Sequence, residues 1–156
     1  MSSFTRFSAD LSIQYDKAAS EALGRDHWRV TEGFRFYIDR EDSGEWISVP
    51  AGYLTDGASV PRIFWNIIPP WGAYGQAAVV HDIACEYLSI TRHGKSSSIT
   101  RAQCDAILDQ AMAALEVPWL TRKAITASVA AYRMISGVDK PSNTQLKRSL
   151  EAQWRA

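Results

Sequence analysis

The stretch "VPAGYLTDGASVPRIFWNIIPPWGAYGQAAVVHDIACEYL", from Val49 to Leu88, is where strand-like patterning gives way to helical patterning. It contains a Thr-Asp-Gly turn at 55–57, a Pro-Pro-Trp-Gly elbow at 69–72 and a His-Asp pair at 81–82. Turns and elbows need Gly, Pro and Asp for backbone reasons alone, whereas His beside Asp can also carry out proton transfer. The stretch therefore supports two interpretations, one architectural and one functional.

The N-terminal third of the chain has the period of half-buried β-strands. Apolar residues alternate in "LSIQY" (11–15) and again over 27–38, and the turn-forming residues 39–44 lead into "EWISV". The segment "GYLTD" predicts a further short strand. We therefore expect a small antiparallel sheet that contains a hairpin. The candidate core positions of the second segment are Trp28, Val30, Phe34, Phe36 and Ile38.

Helical spacing begins after this sheet. Residues 73–90 predict a first helix, whose apolar face includes His81. Residues 91–99 are rich in Gly and Ser and predict a polar loop. Thr100 and Gln103 form a capping box, which predicts that a second helix starts there.

A third helix is predicted over 121–135, ending at Gly137. We expect one α+β domain over residues 1–137, in which the sheet packs against the antiparallel helix pair and the third helix. Residues 138–156 are expected to form a linker and a short amphipathic helix. The apolar stripe of this tail, which either docks on a partner or packs back on the domain, consists of Leu146, Leu150 and Trp154.

The composition excludes several classes of protein. Seventeen basic residues balance seventeen acidic ones, so no net charge favours nucleic acid or an anionic membrane as a partner. No apolar run has the length of a membrane span, and the first residues lack the apolar segment of a secretory signal. Cys85 and Cys104 follow neither a metal spacing nor a disulfide framework. We expect a soluble protein without an organic cofactor.

His81 and two aspartates have the residue types of an acid–base site. If the first two helices pack antiparallel, Asp105 comes close to His81. A carboxylate bonded to one imidazole nitrogen fixes the tautomer and leaves the other nitrogen to act as a base on water. Asp82 is then a candidate ligand for a divalent cation, calcium first, that polarises a substrate oxygen. In the structural alternative, Asp105 only satisfies a buried His81.

The Thr-Asp-Gly turn has the same two interpretations. Asp before Gly is a common turn pair because Asp bonds forward to backbone amides and Gly tolerates positive φ. Asp56 is therefore either a turn residue or a second cation ligand. In the functional interpretation Ser59, Arg62 and Trp71 bind substrate, with Arg62 as an anion clamp and Trp71 lining a groove. In the structural interpretation they belong to a packed elbow.

Three motifs together resemble a family of uncharacterised proteins encoded by tailed bacteriophages and prophages. They are "VPAGYLTDGASVPRIFW" from Val49, "PPWGAYGQAAVVHDIACEY" from Pro69 and "RAQCDAILDQAM" from Arg101. The resemblance spans Phe34 to Leu115. It implies a phage or prophage gene and no established activity.

The predicted helix pair also resembles the catalytic helices of phospholipases A2, particularly the small bacterial ones. That resemblance implies that His81 activates water, that Asp82 binds calcium and that Asp105 orients His81. The sequence departs from those enzymes in two respects. It has no recognisable Gly-rich calcium loop, and it lacks the cysteines that staple the secreted phospholipases.

Two functions follow from these patterns. One is a small cation-assisted hydrolase in which His81 and Asp105 act on a lipid ester or a cell-envelope bond. The other is a non-catalytic phage protein, either a virion or tail component or an assembly factor, whose His-Asp elements are structural. Its partners are then phage structural proteins or a second copy of the chain. Both functions imply synthesis in the host cytoplasm, and the second adds incorporation into the virion.

Overall fold

The computed structural model describes residues 6–56, 74–136 and 144–155, and its helices and antiparallel strands confirm the predicted α+β class. The described strands are β1 (Ile13–Tyr15), β2 (Trp28–Val30), β3 (Phe34–Tyr37), β4 (Glu45–Val49), β5 (Leu54–Thr55), β6 (Ser89–Arg92) and β7 (Lys95–Ser98). The described helices are α1 (Lys17–Leu23), α2 (Gly75–Tyr87), α3 (Arg101–Ala114), α4 (Trp119–Ser136) and α5 (Gln145–Arg155).

Two antiparallel sheets replace the single sheet that the sequence predicted. Their strand orders are β1-β2-β5 and β3-β4-β6-β7. The segment 27–38 was predicted as one strand, but β2 and β3 belong to different sheets, so that prediction is wrong. The chain crosses between the sheets at Gly33, where a Cβ atom would lie 3.3 Å from the backbone of Ala51 and of Val49. The close approach explains why glycine occupies this crossing.

The predicted polar loop at 91–99 is also wrong, because most of it forms the β6–β7 hairpin. Ser89 pairs with Ser98 and Arg92 with Lys95 across this hairpin. Its turn has positive φ at His93 and Gly94, the geometry that matches the twist of a two-residue hairpin. Strand β6 continues the sheet by pairing with β4.

Helix α1 was not predicted, although its capping residues are present in the sequence. The Asp16 side chain accepts a hydrogen bond from the Ala19 amide at 2.9 Å, and Gly24 ends the helix with φ 81°. Asp at the N-cap and Gly after the last turn are the usual signals. The helix is only seven residues long, which is too short for its periodicity to stand out.

The remaining helices agree with the sequence apart from their ends. Helix α2 stops at Tyr87, since Leu88 adopts a left-handed conformation, and α4 starts two residues before the predicted position. The predicted capping box of α3 is present. Gly137, the predicted end of α4, lies outside the described residues. None of the described helices is both long enough and apolar enough to cross a membrane.

Helix α2 lies at the centre of the molecule. It packs against α3, β4 and β5, and 11 of its 13 residues are buried. Such a helix is stabilised by tertiary packing more than by its intrinsic propensity. Four of the five candidate core positions of segment 27–38 are buried, and Trp28 is half-buried. The largest fully buried side chains are Tyr53, Phe7, Phe36, Leu54, Leu108, Met112, Ile125, Val30, Val49, Val79 and Val80.

Candidate functional site

Helix α2 carries the His-Asp pair into two separate environments. Successive residues of an α-helix point about 100° apart. His81 therefore faces α3, whereas Asp82 faces the end of β5. The two side chains therefore belong to two regions. The interior cluster contains His81, Cys85, Asp105 and Arg133, and the cleft contains Asp82 and Asp56.

The interior cluster is a continuous ion-pair network. His81 Nε2 lies 2.8 Å from Asp105 Oδ1, and Arg133 Nε donates to Asp105 Oδ2 at 2.9 Å. Since an ionised carboxylate can only accept, the imidazole donates its Nε2 proton to Asp105. The predicted contact between His81 and Asp105 is therefore present, and it links α2, α3 and α4.

The interior cluster keeps His81 cationic. Burial alone would lower the pKa of His81, but its contacts with Cys85 and Asp105 outweigh burial and raise the pKa to about 9. Burial would raise the pKa of Asp105, but its bonds to His81 and Arg133 hold that pKa below its usual range. At neutral pH the imidazolium has no lone pair with which to accept a proton.

Cys85 completes the interior cluster as a neutral thiol. Its sulfur lies 3.4 Å from His81 Nε2. A hydrogen bond with Cys104 and burial raise the pKa of Cys85 well above its usual range. A thiol that does not ionise is a poor nucleophile. The two cysteines, both buried, therefore act in this cluster as packing and hydrogen-bonding groups.

Arg133 was missed by the sequence analysis, although a signal for it exists. Arg122 and Arg133 lie eleven residues apart and share one face of α4. Each contacts an aspartate of α3: Arg122 lies 3.2 Å from Asp109, and Arg133 reaches Asp105. Two arginines on one helix face and two aspartates on another predict such a pairing once antiparallel packing is assumed.

The cleft begins where the Thr-Asp turn meets Asp82. Thr55 Oγ1 donates to Asp82 Oδ2 at 2.9 Å, so the two sequence motifs are in direct contact. Asp56, the next residue, forms an ion pair with Arg25 at 3.1 Å. Both aspartates line a cleft of about 290 Å³. Its described lining residues are Leu23, Arg25, His27, Asp56, Asp82, Glu86, Thr144 and Lys147.

The electrostatics of this cleft differ from those of the interior. Burial raises the pKa of Asp82, the charge of Asp56 raises it further, and the pKa reaches about 6 although Lys147 and Thr55 act in the opposite direction. Burial also raises the pKa of Glu86, against the lowering effect of Lys147. Asp82 is therefore a carboxyl group that gains or loses a proton close to neutral pH.

Lys147 and Glu86 were also missed by the sequence analysis. Glu86 lies one helical turn after Asp82, so its position on the same face of α2 is readable from the spacing. Lys147 belongs to α5, far away along the chain, and forms an ion pair with Glu86. Nothing in the local sequence around Lys147 indicates this contact.

The other predicted site residues have different outcomes. Ser59, Arg62 and Trp71 lie outside the described residues. Over residues 6–56, 74–136 and 144–155, no group of three or more His, Cys, Asp or Glu side chains is arranged to hold a metal ion. Asp56 and Asp82 supply two carboxyl groups at one cleft, and the predicted calcium at these residues stays a prediction.

The apolar stripe of the tail lies on α5, as its helical spacing predicted. Leu146 and Trp154 are 51% and 46% exposed, and Leu150 is half-buried. The helix nevertheless contacts the rest of the chain, because Arg29 donates to the Leu150 carbonyl at 3.3 Å. Docking of the stripe on a partner stays a prediction.

Comparisons with known proteins give a family but no activity. Residues 28–129 match the family described as "Protein of unknown function (DUF1353)". The chain is 47% identical over 60 residues to the "Uncharacterized protein y4jT" of Sinorhizobium fredii (strain NBRC 101917 / NGR234). That alignment covers 37% of this chain and 18% of the relative, so the match spans less than a fifth of the relative's length. No solved structure matches.

Proposed function

We infer a function from the cleft itself, because the chain belongs to the family described as "Protein of unknown function (DUF1353)" and that description names no reaction. We propose a hydrolase in which Asp82 and Asp56 act as an acid–base pair on a bond of the bacterial cell envelope. The observation that carries the proposal is the convergence of the Thr-Asp and His-Asp motifs on one cleft.

The chemistry of the cleft supports this assignment. A general acid works best when its pKa lies near the operating pH, and that of Asp82 is raised to about 6. Two carboxyl groups, one acting as acid and the other as base, form the arrangement that hydrolyses glycosidic bonds. Asp82 would donate a proton to the leaving oxygen, and Asp56 would take one from the attacking water. The glycan of the cell wall is accordingly the first substrate to test.

The interior cluster supports a different role for His81 from the one suggested by the phospholipase resemblance. Both His81 and its partner Asp105 are held in a network that also engages Arg133, and the imidazole is 5% exposed. The proposal therefore gives the acid–base role to Asp82 and gives His81 the task of holding α2 against α3. Catalysis by His81 and Asp105 stays a prediction, and the same experiment tests it.

The experiment compares the full chain with four variants on two substrates. The substrates are purified cell-wall glycan, followed by new reducing ends, and phospholipid vesicles, followed by fatty-acid release with and without calcium. Asp82→Asn and Asp56→Asn should each lose about 10²- to 10⁴-fold of glycan hydrolysis. Asp26→Asn is the matched control, since the exposed Asp26 accepts a bond from Tyr15 and is not among the described lining residues of the cleft.

The outcomes separate the candidate mechanisms. His81→Asn, the fourth variant, should retain glycan hydrolysis in proportion to the fraction that remains folded. Calcium-dependent fatty-acid release that is lost in both His81→Asn and Asp82→Asn would instead establish the mechanism implied by phospholipases. Inactivity of the wild-type chain on both substrates, or full glycan hydrolysis by Asp82→Asn, would overturn the proposal.

A second candidate is the non-catalytic phage virion, tail or assembly protein. It is favoured by the apolar side chains that α4 exposes: Leu120 is 75% exposed, Met134 76% and Ile135 87%. Contiguous exposed apolar side chains commonly mark binding surfaces, and Met134 and Ile135 are adjacent at the end of the helix. Under this candidate, Ile135→Asp should reduce the yield of phage particles in a prophage strain, and Asp82→Asn should not. The hydrolase predicts the reverse order of effects.

A further inference from the structure

Helix α5 forms one wall of the cleft and is attached mainly through charged side chains. Thr144 precedes the first residue of the helix and lines the cleft, and its Oγ1 accepts a hydrogen bond from the Lys147 amide at 3.2 Å. The Arg148 guanidinium lies 5.5 Å from the ring centroid of Tyr87, and that of Arg29 lies 5.8 Å from the ring centroid of Trp154. The attachment thus depends largely on cation–carboxylate and cation–π contacts.

Lys147 is the central contact of this attachment. Its ammonium forms an ion pair with Glu86 and lies 4.4 Å from the ring centroid of Tyr53. The Lys147 and Glu86 side chains are only 12% and 7% exposed. A desolvated ion pair of this kind is screened little by salt, and removing one partner is costly because the other charge stays buried.

A second contact ties α5 to the strand that carries the Thr-Asp motif. Glu151, which is 2% exposed, accepts a hydrogen bond from the Leu54 amide at 2.9 Å. Leu54 directly precedes Thr55, whose hydroxyl donates to Asp82. The helix therefore covers the backbone of β5 immediately beside the residues that define the cleft.

Apolar burial contributes less to α5 than to the other long helices. Helices α3 and α4 bury Leu108, Met112 and Ile125 completely or almost completely, whereas Leu146 and Trp154 of α5 stay about half exposed. Segments with few buried apolar contacts open at a lower free energy than the whole domain unfolds. The attachment of α5 is therefore expected to open before the core does.

We propose that α5 is a closing element of the Asp56–Asp82 cleft, held shut by the ion pair between Lys147 and Glu86, and that its release opens the cleft to substrate. As a form of regulation the proposal rests on the function proposed above, but the opening itself is a property of the fold. Release would uncover Tyr53, Glu86 and the Leu54 amide together. It would also remove the Lys147 charge from the neighbourhood of Asp82.

Hydrogen exchange tests the opening without any substrate. The full chain is compared with Lys147→Met, which breaks the ion pair, with Lys147→Arg, which keeps a cation, and with Lys123→Met. Lys123 is the matched control because it lies on α4, where its ammonium is 5.7 Å from the ring centroid of Trp119. In Lys147→Met, the amides of α5 and of Leu54 should exchange about tenfold faster or more. Those of α2 and α3 should keep their protection, and Lys147→Arg should lie between the two.

The outcomes distinguish this proposal from the proposed function. Unchanged exchange of α5 and Leu54 in Lys147→Met, or acceleration spread equally over α2 and α3, would overturn the closing element. If glycan hydrolysis is found, Lys147→Met should raise kcat/KM, and Lys123→Met should leave it unchanged. A Lys147→Met variant in which α5 opens without a gain in hydrolysis would overturn the regulatory role. If hydrolysis is not found while α5 opens selectively, the proposed function fails and the closing element stands.

Discussion

His81 and Asp82 are neighbours in the chain, yet the fold treats them in opposite ways. The His81 imidazolium is buried, and it meets the Asp105 carboxylate, which also accepts from the Arg133 guanidinium. Asp82 lies at a cleft, where the carboxyl groups of Asp56 and Glu86 both oppose its ionisation. The arrangement around His81 stabilises the fold, whereas the ionised form of Asp82 destabilises it.

This difference teaches how a two-residue motif can serve architecture and chemistry together. A network that links three helices needs an opposite charge beside each buried ion, because an unpaired buried ion is strongly destabilising. A group that transfers protons needs the reverse, namely an environment that makes its charged form less favourable. Natural proteins tolerate such unfavourable groups mainly at functional sites. The comparison can therefore be tested by stability measurements, before any substrate is known.

The largest effect should come from Asp105→Ala. The substitution leaves the buried His81 cation and Arg133 without the carboxylate that joins them, and breaking a buried pair from one side costs about 3–5 kcal/mol. Asp109→Ala is the control on the same helix, because the Asp109 side chain is 33% exposed, against 13% for Asp105, and its loss should cost about 1 kcal/mol or less. Urea unfolding at pH 7 measures both variants. Equal losses would remove the distinction between the interior cluster and this partly exposed pair.

The second largest effect should be a pH dependence of the free energy of unfolding that is caused by His81. Its pKa is 6.5 in the unfolded chain and about 9 in the folded one, so the folded state holds the extra proton between these values. The stabilisation is complete below pH 6.5 and is lost as the pH rises to 9, a decrease in the free energy of unfolding on the order of 2–3 kcal/mol. Urea unfolding from pH 6 to 9.5 should show this decrease in the wild type. It should be absent in His81→Asn, and an equally steep decrease in that variant would contradict the assignment.

Asp82→Asn should behave in the opposite way and stabilise the protein. The folded-state pKa of about 6 lies above the ordinary 3.8, so the ionised form costs stability above pH 6 and not below pH 4. An amide removes that charge and can still accept the Thr55 hydroxyl. The variant should gain on the order of 2–3 kcal/mol at pH 7.5 relative to the wild type. The gain should disappear at pH 4, and a loss of stability at pH 7.5 would mean that the cleft favours the charged carboxyl.

The sequence predicted the contact between its two most regular helices, and it missed the contacts made by the later helices and by the second hairpin. The contact between His81 and Asp105 follows from two helix faces and an antiparallel turn. Arg133 shares a helix face with Arg122, and this spacing becomes informative only once the packing of α4 on α3 is assumed, whereas nothing in the sequence around Lys147 indicates its partner. The β6–β7 hairpin was missed because serine-rich composition resembles a loop, whereas pairing with β4 determines its structure.

The smallest effect should come from Thr55→Val, which removes the hydroxyl that donates to Asp82. Valine has nearly the same shape, so the fold should lose only about 0.5–1.5 kcal/mol. The hydrogen bond from Thr55 favours the ionised form of Asp82, so its loss should raise the pKa of Asp82 above its value near 6. A carboxyl-carbon NMR titration measures that pKa directly. Thr31→Val, which removes the hydroxyl contact with Ser12 away from the cleft, should leave it unchanged. If the two variants give the same pKa, the contact between the motifs is structural only, and the proton affinity of Asp82 is determined by burial and by Asp56.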